Sequence, residues 1–151
     1  MGSNFAYIKA CHLDEDNDRA IEEGEVPLTN FIHFNVAPTD SLDRTPEGKQ
    51  KLIDARYEFY AADDFPNTRK LSYQQLLDLN VVYAGSPDKV AEQLIDLQDQ
   101  FRFDEFLLIA NYGGNKRWQA MRNQELFMTQ VAPRMREAYA KMSKKSVVAA
   151  S

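Results

Sequence analysis

The segment "LLIANYGGNKRWQAM", from Leu107 to Met121, carries the strongest fold signal in the chain. It begins with a short apolar run, which predicts a buried strand, and it ends in a charged, helix-prone stretch. Only Asn-Tyr-Gly-Gly separates the two, and glycine permits the tight turn that so short a connection requires. A strand followed at once by a helix is the repeating unit of a parallel α/β sheet.

The same order occurs twice more upstream. "FAYIKACHL", Phe5 to Leu13, is rich in aromatic and small residues and predicts a strand, and a helical pattern follows around Arg19 to Glu23. "NVVYA" predicts a second buried strand ending at Gly85, after which Ser86 and the next residue, a proline, have the spacing of an N-cap and first helical position. The chain therefore contains three predicted βα units.

The helices of the last two units have distinct patterns. After Ser86, apolar residues recur at helical spacing and form one face: Val90, Leu94, Leu97 and Phe101. The third strand has a core, Phe106 to Ala110, that does not alternate, so we expect it to be covered on both sides. A long helix is predicted from about Lys116 toward Tyr139, kinked or broken by Pro133.

Residues 35–70 differ in composition from the rest and form a predicted insertion between the first two units. Within this polar, proline-containing segment, Thr45 and Pro46 have the spacing of an N-cap and first helical residue, so we predict an embedded helix. Just after it, Ser72 and Gln75 have capping-box spacing and predict a short helix. A long segment between core elements often carries function.

Composition sets the broad class. The 151 residues are 44% hydrophobic, which suits one folded domain, predicted over residues 1–145 with a disordered tail at 146–151. The net charge of -5 argues against a nucleic-acid partner. Cys11 is the single cysteine, which fits a reducing compartment, and no apolar run is long enough to span a bilayer. We expect a cytoplasmic protein without membrane attachment.

Individual polar residues have two interpretations each. Cys11 and His12 are adjacent, so on a strand they face opposite ways and do not form a catalytic pair. His12 lies near a strand end, where it either lines a pocket or packs in a core. His33 lacks partners at metal-ligand spacing and is expected to be structural. Arg117 and Arg122 lie on a predicted helix, where they either meet an anion or, as we expect, are surface charges.

No metal site is predicted. The acidic cluster after the first strand lacks the ligand spacing and the distant glutamate of a calcium loop. Its members are Asp14, Glu15, Asp16 and Asp18.

Three motifs together resemble the C-terminal end of luciferase-like flavin-dependent monooxygenases. Family members carry a Gly-Ser/Thr-Pro-Glu/Asp helix start, a last strand that runs into a Tyr-Gly-Gly-like turn, and a helix that ends in Val-x-Pro. In this sequence the motifs are Gly85-Ser86-Pro87-Asp88, Tyr112-Gly113-Gly114 and Val131-Ala132-Pro133. They occur in that order over the last half of the chain, and the first strand and helix fit the family more loosely.

The resemblance implies a (β/α)8 TIM barrel with a long insertion before the seventh strand. A barrel takes about 250 residues. The three βα units therefore correspond to about the last three of a barrel, and the chain is expected to be a partial barrel. In a barrel the carboxyl ends of the strands form the active-site mouth.

The resemblance also implies the site and the chemistry. Asn111, Tyr112, Gly113, Gly114 and His12 would line the flavin or substrate pocket, or else Tyr112 packs on the rim and the glycines only make a turn. The family uses reduced FMN and O₂ to oxidise an organic small molecule, with reduced flavin supplied by a separate flavin reductase. No residue is assigned a catalytic role, and tight FMN binding by this chain alone is not expected.

The alternative is a non-catalytic, truncated module. Three parallel strands leave two open sheet edges and apolar surface that a complete barrel would bury. The module would then associate with itself or with a partner chain.

Overall fold

The computed structural model describes residues 6–35, 43, 45–62 and 68–148. Three strands and seven α-helices occur in this part of the chain. The strands are β1 (Ala6–Leu13), β2 (Tyr83–Gly85) and β3 (Glu105–Ile109). The helices are α1 (Asn17–Asn35), α2 (Pro46–Asp54), α3 (Glu58–Ala61), α4 (Tyr73–Asp78), α5 (Pro87–Phe101), α6 (Arg117–Leu126) and α7 (Ala132–Val148). A 3₁₀ turn (Thr68–Lys70) precedes α4, and a π-helical turn (Phe127–Val131) joins α6 to α7.

The three strands form one parallel sheet, which confirms the predicted α/β class. β1 lies in the centre, and the order is β2-β1-β3. Cys11 is paired with Tyr83 on one side, and Ala6 is paired with Glu105 on the other. Three consecutive units of a barrel would give the order β1-β2-β3, because consecutive barrel strands are neighbours. The observed order differs from this, and a partial barrel is not confirmed.

The position of β3 has a packing reason. The chain leaves β2 at one edge of the sheet, α5 passes over β1, and β3 then pairs with β1 at the opposite edge. There Phe106 stacks on Phe127 of the π turn, with ring centroids 5.5 Å apart, and it also contacts Phe103. On this side of β1 the apolar side chains of β3 join the larger of two hydrophobic clusters.

Helices cover the two faces of the sheet unequally. On one face, which we call the α5 face, side chains of α5, the π turn and α7 bury Cys11, Leu13 and Tyr83. On the other, the α1 face, α1 and α4 bury Ala10 and Ala84. Cys11 and its neighbour His12 thus lie on opposite faces, as predicted from strand geometry.

The predicted helix boundaries are confirmed at three N-termini. Thr45 accepts a hydrogen bond from the N–H of Gly48 at the start of α2, and Ser72 forms a complete capping box with Gln75 at the start of α4. At α5 the Ser86 hydroxyl accepts from a backbone N–H. These bonds satisfy donors that a helix start otherwise leaves open.

The helix was predicted to be kinked or broken at Pro133, and a π turn interrupts it just before that residue. Pro133 has no N–H to donate and would clash with the carbonyl four residues earlier. The chain widens into the π turn just before it, where the N–H of Ala132 donates to the carbonyl of Phe127, five residues back. The long predicted helix is therefore one continuous helical segment in which the π turn separates α6 from α7.

The insertion contains the predicted helix as α2, which the short α3 follows, and several apolar side chains in and around these two helices are exposed. Ile53, Tyr57 and Tyr60 are exposed, and α2 contacts mainly α3. Residues 36–42 and 63–67 of the insertion lie outside the described residues. At the other end of the chain, α7 continues to Val148 into the segment expected to be a disordered tail, and residues 149–151 are not described. None of the described helices has the length and apolar character needed to cross a bilayer.

Cover over β3 is incomplete, and the expectation of burial on both sides was wrong at Leu107. Leu107 is 50% exposed on the α1 face, and its register partner Ile8 on β1 is 56% exposed. Further along the same face, Ala10 is buried and Ile109 is half-buried. Helix α1 therefore covers the carboxyl half of the sheet and leaves its amino half open. We call Ile8 and Leu107 the Leu107 patch.

Candidate functional site at the carboxyl end of the sheet

The turn after β3 brings its backbone against α1. Gly113 has φ +57°, and a Cβ there would lie 1.7 Å from the carbonyl oxygen of Pro27. Only glycine permits this approach. Gly114, with φ +84°, has open space around it. The two glycines therefore serve different ends: one permits close packing on α1, and the other completes the turn.

Two asparagines fix the strand ends. Asn115 donates to the carbonyl of Ala110 (3.0 Å) and accepts from the N–H of Tyr112 (3.1 Å), which closes the turn. The fully buried Asn123 of α6 accepts from the N–H of Leu13 (2.7 Å) and donates to the Ala110 carbonyl (3.5 Å). One amide thus ties the carboxyl ends of β1 and β3 together.

His12 and Tyr112 meet in this buried region. His12 is 0% exposed, and its Nδ1 lies 3.1 Å from the Tyr112 hydroxyl oxygen. That hydroxyl donates its single hydrogen to the carbonyl of Cys11 (2.8 Å). With the hydroxyl hydrogen on the Cys11 carbonyl, His12 Nδ1 is the nitrogen that carries the proton and donates to the hydroxyl. In the neutral imidazole, Nε2 then has a free lone pair.

That lone pair has no hydrogen-bond donor in the described structure. The nearest polar group is the Glu23 carboxylate of α1, whose Oε2 lies 3.6 Å from Nε2, which is too long for a hydrogen bond. Burial lowers the pKa of His12, and the positive charge of Arg122 lowers it further, while Glu23 and Asp14 oppose both. The lowered pKa favours the neutral imidazole, and in the tautomer with the proton on Nδ1 the buried Nε2 is an acceptor without a partner among the described residues.

An ion-pair network surrounds the imidazole. Arg122 of α6 contacts both Asp14 and Glu23, and Arg19 contacts Asp14 from the exposed side. Asp14 is 0% exposed and also accepts from the N–H of Asp16 (2.8 Å). Burial raises the pKa of Asp14, but the hydrogen bonds from Arg19 and Asp16 and the Arg122 charge outweigh it, so the pKa is lowered.

Glu23 is held in the same way. Burial raises its pKa, whereas hydrogen bonds from Arg122 and Gln119 lower it by more, so both carboxylates of the network stay ionised. The Gln119 amide donates to Glu23 at 3.2 Å. The indole of Trp118, which is half exposed, stacks on the Arg122 guanidinium with 4.9 Å to the ring centroid.

Helix α6 supplies its polar side chains at spacings that place them on one face. Gln119, Arg122 and Asn123 are three and four residues apart, and each turns toward the strand ends. Glu23 enters from α1, where Gly24 permits close packing: a Cβ at Gly24 would lie 3.1 Å from the His12 Cβ. The two helices thus enclose the carboxyl end of β1 from opposite sides of the sheet.

The structure brings together some of the predicted site residues. His12 and Tyr112 are in contact and buried, and Gly113 packs on α1 nearby. Asn111 and Gly114 are exposed. Because His12 and Tyr112 are buried while Asn111 and Gly114 are exposed, the five predicted residues do not line one open pocket together.

Three residues of the network were not predicted. Arg122 is wrong as a simple surface charge, since two carboxylates hold it and its side chain is only 21% exposed. Asp14 was assigned to an acidic cluster, yet it is the residue immediately after β1, where parallel sheets place functional groups. This position directly after the strand was the sequence feature from which its role in the site could have been predicted. Nothing in the helical pattern around Glu23 distinguished it from its acidic neighbours.

The remaining candidates have structural contacts. The Cys11 thiol is buried, and burial raises its pKa to about 12, partly opposed by Lys9. His33 Nε2 lies 3.2 Å from the carbonyl of Leu71. Among residues 6–35, 43, 45–62 and 68–148, no three His, Cys, Asp or Glu side chains are grouped so that they hold a metal ion.

Comparison with known proteins adds no family assignment: no family model matches the chain, and no curated sequence matches it.

Proposed function

We propose that this chain is the C-terminal segment of an FMN-dependent, luciferase-like monooxygenase, which oxidises an organic small molecule with O₂. The three ordered motifs of its second half support the family. The observation that carries the site is the buried, unsatisfied Nε2 of His12 at the carboxyl end of the central strand. Ligands of parallel α/β sheets bind at that end.

The chemistry of the donor set fits a flavin in one respect. The flavin ring carries an N–H donor, and the His12 Nε2 is an acceptor without a partner. The fit in space is incomplete, because His12 and Tyr112 are both covered by α1. The proposal therefore requires upstream βα units, supplied by a longer polypeptide or a second one, that pack against the β2-β1-β3 sheet as it stands, because the His12–Tyr112 contact depends on β3 lying beside β1.

The chain's own residues would hold and orient rather than react. Bound reduced FMN would supply the oxygen chemistry, with electrons from a flavin reductase. Tyr112 fixes the tautomer of His12, so that Nε2 is available as an acceptor. The Asp14–Arg122–Glu23 network would hold fixed charges beside it, which preorganises the electrostatic field at the site.

The test compares the two histidines of the chain. In an enzyme completed with its upstream units, His12→Gln is expected to lower flavin-dependent O₂ consumption about tenfold, as loss of one hydrogen bond would, while His33→Gln leaves it unchanged. Melting curves must show both variants folded. Equal activity of the two variants would remove His12 from the site.

The family itself is tested by titration with FMN. The chain alone is expected to show no saturable micromolar quenching of FMN fluorescence, whereas the completed enzyme is expected to show it. If the completed enzyme neither binds FMN nor reacts with O₂, the monooxygenase assignment is wrong.

The second candidate is a non-catalytic module that associates with itself or with a partner chain. The exposure of Leu107 and Ile8 favours it, since these apolar side chains lie side by side on an uncovered sheet face. A monodisperse monomer that unfolds cooperatively at high temperature would exclude it.

A further inference from the structure

The outer edge of β3 is open in the described part of the chain. β3 pairs with β1 on one side and with no other strand among the described residues. Alternate N–H and C=O groups along that edge therefore lack a sheet partner. Such an edge is a template for pairing with another strand.

A groove runs beside this edge. It has a volume of about 530 Å³ and lies between β3, the π turn and α7. Its lining is mainly apolar, with Met128 more than half exposed, and it includes Phe106, Leu107, Met135 and Tyr139. The unpaired strand edge and the exposed apolar side chains thus lie next to each other. Isolated apolar residues are ordinary on a protein surface, but a contiguous patch such as this one marks an interaction site.

We propose that a second copy of this chain occupies the edge, with the two β3 strands antiparallel about a two-fold axis at Leu107. The pairing would join two three-stranded sheets into one of six strands. This inference rests on the second candidate function, self-association. It specifies the surface that is used, the outer edge of β3, and the partner, a second copy of the chain.

The sequence of β3 is self-complementary in this arrangement. With Leu107 opposite Leu107 of the other copy, Phe106 lies opposite Leu108, and Glu105 lies opposite Ile109. The Leu107 patches of the two copies become continuous across the axis, because Ile8 neighbours Leu107 in each sheet. Like charges directly opposite each other destabilise a strand pair, and this register places none opposite each other.

Charge favours antiparallel over parallel pairing. The amino end of β3 is acidic, with Asp104 and Glu105, whereas the turn after β3 leads into Lys116 and Arg117, which are exposed. Antiparallel pairing brings the acidic end of one copy toward the basic end of the other. Parallel pairing would place the acidic ends together. Neither Glu105 nor Arg117 has an ion pair within the described residues.

The test places one cysteine on the proposed axis. Cα atoms directly opposite in antiparallel strands are about 4.5–5.5 Å apart, within the range that a disulfide spans. Leu107→Cys is therefore expected to form a covalent dimer, of twice the 17.4 kDa chain mass, under mild oxidation. The control is Leu79→Cys, equally exposed at the end of α4. Cys11 is buried and does not compete.

A second pair of variants tests the register. Glu105→Cys and Ile109→Cys are each expected to cross-link poorly alone but efficiently when mixed, because each lies opposite the other. Light scattering gives the mass of the unmodified chain, and circular dichroism confirms that all variants are folded.

The outcomes separate the two claims. A dimer by light scattering that Leu107→Cys fails to cross-link, or that Leu79→Cys cross-links equally, overturns the β3 interface but leaves self-association standing. A monomer at every concentration overturns both self-association and the interface. Neither result bears on FMN binding by the completed enzyme.

Discussion

At the carboxyl end of β1, His12 and Asp14 are completely buried among polar partners, whereas at the amino half of the same sheet Ile8 and Leu107 are half exposed. A few residues along one strand thus separate buried polar groups from exposed apolar ones. Polar side chains are usually exposed and large apolar ones are usually buried, so both arrangements are the reverse of what is common, and each is informative for that reason. From this contrast we propose ligand binding at one end of the sheet and protein contact at the other.

Stability is expected to depend most on the buried network, so the first way to break the comparison is Asp14→Ala. The substitution leaves Arg122 beside a single carboxylate and removes the acceptor of the Asp16 N–H. Removing one partner of a buried ion pair costs about 3–5 kcal/mol. Urea unfolding measures the loss. Glu47→Ala, which breaks the exposed pair with Lys51, is the control and should change little. Equal losses would show that burial of Asp14 carries no energetic weight.

The Tyr112 hydroxyl tests the same end with a smaller change. Tyr112→Phe keeps the ring but leaves the His12 Nδ1–H without its acceptor, for an expected loss of about 1–3 kcal/mol. Tyr57→Phe is the matched control, because Tyr57 is exposed. Denaturant midpoints of the two variants give the comparison. A Tyr112→Phe variant as stable as the original would mean that the hydroxyl contributes nothing to the fold.

Acid should weaken the carboxyl end selectively. The lowered pKa values of Asp14 and Glu23 contribute stability that is present above about pH 4 and is lost as pH falls toward the folded-state values. His12 has the same sign: its folded pKa lies below about 6.5, so the unfolded chain takes up its proton first and stability falls from there downward. Urea midpoints from pH 7 to pH 3 should decline, and below about pH 4 they should decline less steeply in Glu23→Gln, which lacks the Glu23 carboxylate. A midpoint that stays constant down to pH 4 would contradict the assignment of a neutral His12.

The amino half should show the smallest effect on folding. Leu107→Ser at low protein concentration is expected to change the free energy of unfolding by no more than about 0.5 kcal/mol, because the side chain is half exposed. Leu94→Ala, in the core, should cost about 2–5 kcal/mol. Thermal and denaturant unfolding compare the two. A large loss in Leu107→Ser under conditions where the chain is monomeric would mean that Leu107 belongs to the core of a single copy.

Local signals in the sequence predicted the elements well. Ser72, Ser86 and Pro133 mark helix boundaries that depend only on neighbouring residues, and the structure has them there. The neighbour of β3 could not be predicted in that way. Strand order depends on which face α5 crosses, and the apolar runs of the strands are compatible with either edge.

The network was hidden for a related reason. Asp14 and Arg122 are 108 residues apart in the sequence. The sequence around Asp14 is typical of a solvated helix start, and that around Arg122 is typical of a solvated helix face. Only the closure of β3 on β1, which carries α6 along, brings them together. His12 and Tyr112 were accessible to prediction because both lie at strand ends, and strand ends converge in any parallel sheet.

The tautomer of His12 tests the carboxyl-end site most directly. Long-range ¹H–¹⁵N NMR distinguishes the two nitrogens of each imidazole, and the chain has only two histidines, so His12→Gln assigns the signals. At pH 7 we expect His12 to be neutral, with the proton on Nδ1 and a free lone pair on Nε2. An imidazolium ion, or a proton on Nε2, would mean that Glu23 already satisfies this nitrogen and that no acceptor is left for a ligand.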